Sequence, residues 1–186
     1  MDEKYMKEKK LKLLSLAITI LTFIPGCTKS YTTKDITYKV NEDWDCKKDK
    51  TGLFCKIVEK KAVFSMFYID DVGNYSLNDY ISDKPTTFPG LDYEFTLNEK
   101  VKIGNRVGKN IVYYTKSKEI ENDIPIIYNE YIFKYNQRLY IFSYYTEGDV
   151  NDDGEKTIYQ KYLQDYKDTI KSIKIKRWEI QYVIIK

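Results

Sequence analysis

The chain reads as an α+β protein: an antiparallel sheet of about six to eight strands, with a short helix and a long C-terminal helix packed on it. Three observations predict this. Apolar and polar residues alternate in runs from Ile36 to Tyr145, broken by turn-forming pairs such as Gly104-Asn105 and Asn136-Gln137. The period becomes helical only twice, briefly after Ser76 and at length between Gly154 and Ser172. Hydrophobic residues make up 42% of 186 positions, with 19 Tyr among them, which supplies one core and not comfortably two.

The first segment is an export signal. Five lysines and three acids occupy residues 1–12, whether Met1 or Met6 is the start, and Leu13 to Ile24 then carries no charge. A basic stretch followed by a short apolar one is the layout of a secretory signal, and twelve residues fall short of a bilayer span. Ile24-Pro25-Gly26-Cys27 follows, and it resembles the lipobox of bacterial lipoproteins. That resemblance implies that Cys27 receives a diacylglycerol, with palmitate-like chains holding the protein on the extracytoplasmic face of the membrane. Residues 1–26 are then the signal peptide, 27–34 a tether and 35–186 a single domain.

The domain opens with a strand over Ile36, Tyr38 and Val40, broken at Asn41-Glu42-Asp43. Trp44 follows as a core anchor. Asp49 to Gly52 forms a hairpin turn that sets Cys46 opposite Cys55, and two cysteines remain once Cys27 is acylated, so a disulfide is expected there. Ala62 to Ile69 is almost continuously apolar, as in a strand buried on both faces. Ser76 with Asp79 is a capping box, opening a short helix that Pro85 and Pro89-Gly90 close. Phe95, Leu97, Val101 and Ile103 share one face of a long strand that returns from Gly104-Asn105 along Val107, Ile111 and Tyr113. Ile126 to Tyr135 and Leu139 to Tyr145 form the next hairpin. Ile158, Tyr162, Leu163, Tyr166, Ile170 and Ile173 line one face of the last helix, and residues 173–186 form one more strand or a trailing edge.

In this order, Ile36 to Trp44, Ser76 to Tyr80, the turn at Ile103-Gly104-Asn105, Tyr140 to Tyr144 and the ending Ser172-Ile173-Lys174 resemble the PsbP-like lipoproteins of Gram-positive bacteria. The similarity covers residues 35–176. It implies the Mog1/PsbP fold, an antiparallel sheet between helices, and licenses no activity of its own. A ratio of 28 Lys to 3 Arg agrees with a low-GC source.

Composition excludes several chemistries. The chain has no His, so Ser-His, Cys-His and His-zinc sites are not available to it. Thirty-one basic residues against 28 acidic ones leave no bulk field for nucleic acid, and no phosphate-binding glycine loop has the required spacing. Asp149, Asn151 and Asp153, with Gly154, match the first half of a calcium loop, but Gln160 stands where a bidentate Glu belongs. The same residues read more simply as an acidic lead-in, with Asp152 as N-cap and Glu155 three positions on; no cofactor is expected. Tyr113, Tyr114, Tyr128, Tyr131, Tyr135, Tyr140, Tyr144 and Tyr145 either cover a half-exposed sheet or line a binding face. The expectation is a membrane-anchored, non-enzymatic binding or accessory module of the cell envelope, partnered by an envelope protein. The alternatives are a cell-wall hydrolase using carboxylates that sequence does not locate, and a lipoprotein that binds a metal or small ligand.

Overall fold

A computed structural model describes residues 27–50, 52–58, 61–87, 89–118, 125–147 and 153–176, with side chains from residue 158 onward in the last segment. The signal segment 1–26, the loop residues Asp149, Asn151 and Asp152, and residues 177–186 lie outside the described residues.

Among the described residues ten strands and two helices follow in chain order: β1 (Thr28–Thr32), β2 (Ile36–Asn41), β3 (Asp45–Lys48), β4 (Gly52–Val58), β5 (Ala62–Ile69), α1 (Leu77–Thr87), β6 (Leu91–Ile103), β7 (Arg106–Ser117), β8 (Ile126–Tyr135), β9 (Arg138–Glu147), α2 (Asp153–Lys171) and β10 (Lys174–Ile175). Seven strands form one antiparallel sheet in the order β3-β4-β5-β9-β8-β7-β6, and a small sheet has the order β1-β2-β10. The expected α+β architecture is therefore present.

One face of the large sheet carries α2 and the small sheet. Phe64, Met66, Phe133, Phe142 and Tyr144 meet Ile36, Tyr38, Val40, Trp44, Tyr166 and Ile170 there in a single core. Tyr166 pins α2 down. Its hydroxyl lies 2.7 Å from the Phe142 carbonyl and 2.9 Å from that of Asn129, and it accepts the Tyr131 N–H at 3.2 Å. The opposite face is covered only in part. Ile132, Leu139 and Ile141 pack under Leu77, Tyr80 and Ile81 of α1 and under Val72 and Tyr75 of the preceding loop.

Several expectations meet this structure closely. Cys46 pairs with Cys55 in the β3–β4 register, and the two are bonded with Cα atoms 4.0 Å apart. The capping box forms both ways: Ser76 N–H donates to Asp79 at 2.7 Å and Asp79 N–H donates to the Ser76 hydroxyl at 3.1 Å. Asn136 and Gln137 both adopt positive φ, 48° and 58°, which suits the twist of a two-residue hairpin. Trp44 is a core residue, 2% exposed, with its ring 5.3 Å from Phe64.

Other expectations are corrected. Thr28–Thr32 is not a free tether but strand β1, paired with β2 from Thr28↔Asn41 to Thr32↔Thr37. Alternating Thr, Ser and Tyr suit an edge strand, and Tyr31 stacks on Tyr38 at 6.1 Å. Pro85 lies inside α1, which runs on to Thr87; hydroxyls of Thr86 and Thr87 cap the Asp83 carbonyl beyond it. β5 buries Ala62, Phe64 and Met66 but only half-buries Val63, Ser65 and Phe67; α1 is too short to cover it, and β9 is the strand enclosed on both sides. Phe95 does not share a face with Leu97, Val101 and Ile103. A β-bulge at Thr96 shifts the register from Phe95↔Tyr113 to Leu97↔Val112, so the two halves of β6 point opposite ways. α2 begins at Asp153, one residue ahead of the expected start, and beyond Ile173 only Lys174–Ile175 is a described strand.

Candidate functional site

Cys27 stands one residue ahead of β1, exposed and free of disulfide. Its carbonyl accepts the Glu42 N–H at 3.0 Å, so the fold grips the chain at this residue. The Cys27 thiol is pushed up by its hydrogen bond to Glu42, by that carboxylate's charge, by slight burial and by Asp43. Among the described residues no helix is long and apolar enough to cross a membrane.

The eight tyrosines singled out above are sorted by the pleat. Tyr140 and Tyr144 lie in the core toward α2, with Tyr114, Tyr131 and Tyr135 packed against it. Tyr113, Tyr128 and Tyr145 project from the opposite face, where β7, β8 and β9 set them side by side in register. Tyr113 and Tyr128 stack at 4.9 Å with a 5° tilt, and Tyr128 and Tyr145 follow at 5.2 Å. Phe95 and Tyr93 of β6 extend the row, at 5.3 and 5.8 Å from Tyr113. Its spacing is that of the strands themselves, so backbone hydrogen bonds hold the rings in place. Burial raises the Tyr128 hydroxyl to about 12, helped by the neighbouring Tyr145 and Glu130. Phe95 is 37% exposed at the open end.

A polar cluster flanks the row at Tyr113, under α1. Lys84 and Glu130 form an ion pair at 3.0 Å, with side chains 12% and 4% exposed. Glu130 also accepts hydrogen bonds from Tyr113 at 2.8 Å, Ser143 at 3.2 Å and Tyr80 at 3.3 Å. Lys84 lies over the Tyr80 and Tyr113 rings at 4.4 and 4.7 Å. Burial and the Glu130 charge push both phenols far above their ordinary value, so they remain donors. Ser143 and Glu130 are both buried, 4% and 3% exposed. The cluster holds α1 in place. Lys84 was not singled out by sequence; Glu130 leaves a trace, an acid at an inward position of a strand rich in Ile, Tyr and Phe.

Two carboxylates line a cleft of about 510 Å³, Asp92 and Glu94 with Tyr93, Tyr114 and Lys116, and two more, Asp165 and Asp168, line one of about 200 Å³. Asp92 is already paired with Lys118 at 3.6 Å. Among the described residues no group of three or more acids or cysteines is arranged to hold a metal. Asp153 is the first residue of α2, and the other calcium-pattern residues, Asp149 and Asn151, lie outside the described residues.

A third cluster joins the two sheets. Asp35, between β1 and β2, is fully enclosed and accepts hydrogen bonds from Tyr140 at 2.5 Å, Arg138 at 2.6 Å and Asn136 at 3.1 Å. Arg138 also holds Asp70 and covers the Tyr68 ring. Burial alone would raise the Asp35 carboxyl, but the hydrogen bonds from Tyr140, Arg138 and Asn136 outweigh it and leave it lowered.

No protein-family model and no curated sequence matches the chain. Solved structures do share its shape. The solution structure of cyanobacterial PsbP (CyanoP) from Synechocystis matches with a TM-score of 0.59 at 10% identity, covering 80% of this chain and 92% of that one. The Saccharomyces cerevisiae Ran-binding protein Mog1p matches at 0.58 and 8%, over 81% of this chain and 96% of that one. A protein from Bacteroides thetaiotaomicron matches at 0.52 and 9%, over 83% of this chain and 50% of that one. At such identities the likeness speaks for fold alone, and the fold is that of PsbP and Mog1.

Proposed function

We propose that the protein is a lipid-anchored, extracytoplasmic binding module of the cell envelope, tethered through Cys27 and presenting its aromatic row to an envelope partner. The observation that carries this reading is the position of Cys27. It is exposed, unpaired and immediately ahead of the first strand, while Cys46 and Cys55 are bonded to each other. A disulfide of this kind belongs to an oxidising compartment, which supports export. The row at Tyr93, Phe95, Tyr128 and Tyr145 supplies rigid apolar area with polar tips, the composition favoured at interface centres.

The anchor is tested in the producing cell. Cys27→Ser should abolish incorporation of labelled fatty acid and move the protein from the detergent phase to the aqueous one. Wild-type protein in the aqueous phase with its N-terminal segment intact would overturn the reading. Binding is tested by pull-down from solubilised membranes: Tyr128→Ser with Tyr145→Ser should lose the partner, each at about 2 kcal/mol. Asp92 and Glu94 in the 510 Å³ cleft favour a hydrolase. Peptidoglycan turnover abolished by Glu94→Gln would establish that reading instead.

A further inference from the structure

A cleft of about 230 Å³ opens on the seam between the two sheets, between the β1–β2 turn and the β3–β4 hairpin. Its charge is one-sided. Lys34 stands on the turn, and Lys48 and Lys50 stand on the hairpin. Lys176 reaches the same turn, donating to the Thr33 carbonyl at 2.8 Å. The acid at the rim, Asp49, is drawn into its own hairpin, where it accepts the Gly52 N–H at 2.7 Å. Asp35 is enclosed behind the turn and neutralised by Arg138. Lys48 gives one N–H to the Thr32 carbonyl at 3.1 Å and keeps two; among the described residues no ion pair engages Lys48 or Lys50.

The floor holds the second observation. Tyr38 lines the cleft, is only 1% exposed and is fixed by Phe142 at 5.2 Å and Tyr31 at 6.1 Å. Among the described residues its hydroxyl has no hydrogen-bond partner. It therefore faces the cleft with both its donor and its acceptor uncommitted to the protein. An oxygen-rich ligand entering the cleft would supply a partner.

We propose that this cleft binds a phosphoryl group, carried on a small phosphate ester or on a lipid headgroup. The donors are ammonium groups spread around the mouth and a hydroxyl at the base. Such point donors suit a tetrahedral oxyanion whose oxygens diverge. A planar carboxylate is better matched by an arginine fork, and Arg138 is already committed to Asp35 and Asp70. The volume admits a phosphate with a short alcohol and not a nucleotide. This inference does not depend on the anchor or on the aromatic row.

The full-length protein in detergent is titrated with inorganic phosphate, glycerol phosphate and acetate at fixed ionic strength. In parallel it is mixed with vesicles of phosphatidylglycerol or phosphatidylcholine. Phosphate or its ester should bind and raise the melting temperature, and acetate should not. Tyr38→Phe removes only the unpartnered hydroxyl, so it should leave the ligand-free melting temperature in place and weaken binding about tenfold. Lys48→Gln with Lys50→Gln should weaken it about a hundredfold. Binding of glycerol phosphate with this sensitivity assigns a soluble ester. The same sensitivity seen only with phosphatidylglycerol vesicles assigns a lipid headgroup. Absence of binding in both arms, or binding that these variants leave unchanged, overturns the site.

Discussion

The Tyr140 hydroxyl donates a 2.5 Å hydrogen bond to Asp35, whose side chain is completely enclosed, and so ties the β1–β2 turn to β9. The lowered carboxyl of Asp35 makes this joint acid-sensitive. A depressed folded-state value contributes stability above the unfolded carboxylate value, about 3.9, and loses it as pH falls through the folded value below that. Thermal melts from neutral to strongly acid pH should show this loss below about pH 4. Asp35→Asn should flatten that limb and cost about 3 kcal/mol at neutral pH, because Arg138 keeps only Asp70. An unchanged acid limb in the variant would show that other carboxylates set it.

Lys84 and Glu130 should behave unequally from an exposed pair. Lys84→Met leaves Glu130 buried with three hydroxyl donors and no countercharge, and should cost about 3 kcal/mol in urea melts. The double variant Lys84→Met with Glu130→Gln should recover much of that loss, since removing both charges also removes their desolvation. Lys171 and Asp168 are an exposed pair, 72% and 58% accessible; Lys171→Met should cost under about 1 kcal/mol.

Reduction of the Cys46–Cys55 bond should destabilise the fold without dissolving it. The bond closes a short loop in a hairpin that β4 already holds to β5. Its loss is worth about 2–3 kcal/mol. Mass spectrometry of the unreduced protein should find the exported form two hydrogens lighter than the dithiol.

Gly108 is predicted to tolerate no side chain. A Cβ there would lie 2.4 Å from the Ile132 carbonyl oxygen and 2.8 Å from Ile103. Gly108→Ala should therefore part β7 from β8 and cost about 1–3 kcal/mol, read as a lowered midpoint in denaturant. Gly90→Ala, with nothing within 4 Å, serves as the neutral control.

Local chemistry was legible in the sequence, and distant partnership was not. The capping box at Ser76 and Asp79, the Asn136-Gln137 turn and the opposition of Cys46 and Cys55 each depend on a few neighbouring residues. The bulge at Thr96 adds one residue to a long strand, and alternation read across it assigns Phe95 to the wrong face. Lys84 and Glu130 meet across 46 positions, Asp35 and Tyr140 across 105. No periodicity encodes such contacts. The phenol of Tyr38 could be placed in the core from its pattern, but not the empty space beside its hydroxyl.

The bulge at Thr96 also governs how two molecules can meet. β6 is thirteen residues long, lies at the rim of the large sheet and is the kind of free margin along which identical chains associate. Antiparallel association of two copies must keep the faces of the sheets continuous. Because the two halves of β6 point opposite ways, no single antiparallel register does so over all thirteen residues: the one that sets Tyr93 against Lys102 and Phe95 against Lys100 leaves Leu97 opposite Asn98, on the other face. Shifting by one residue restores like-with-like pairing only by turning matched side chains to opposite faces. A single extra residue thus makes the full length of this margin a poor template for its own copy.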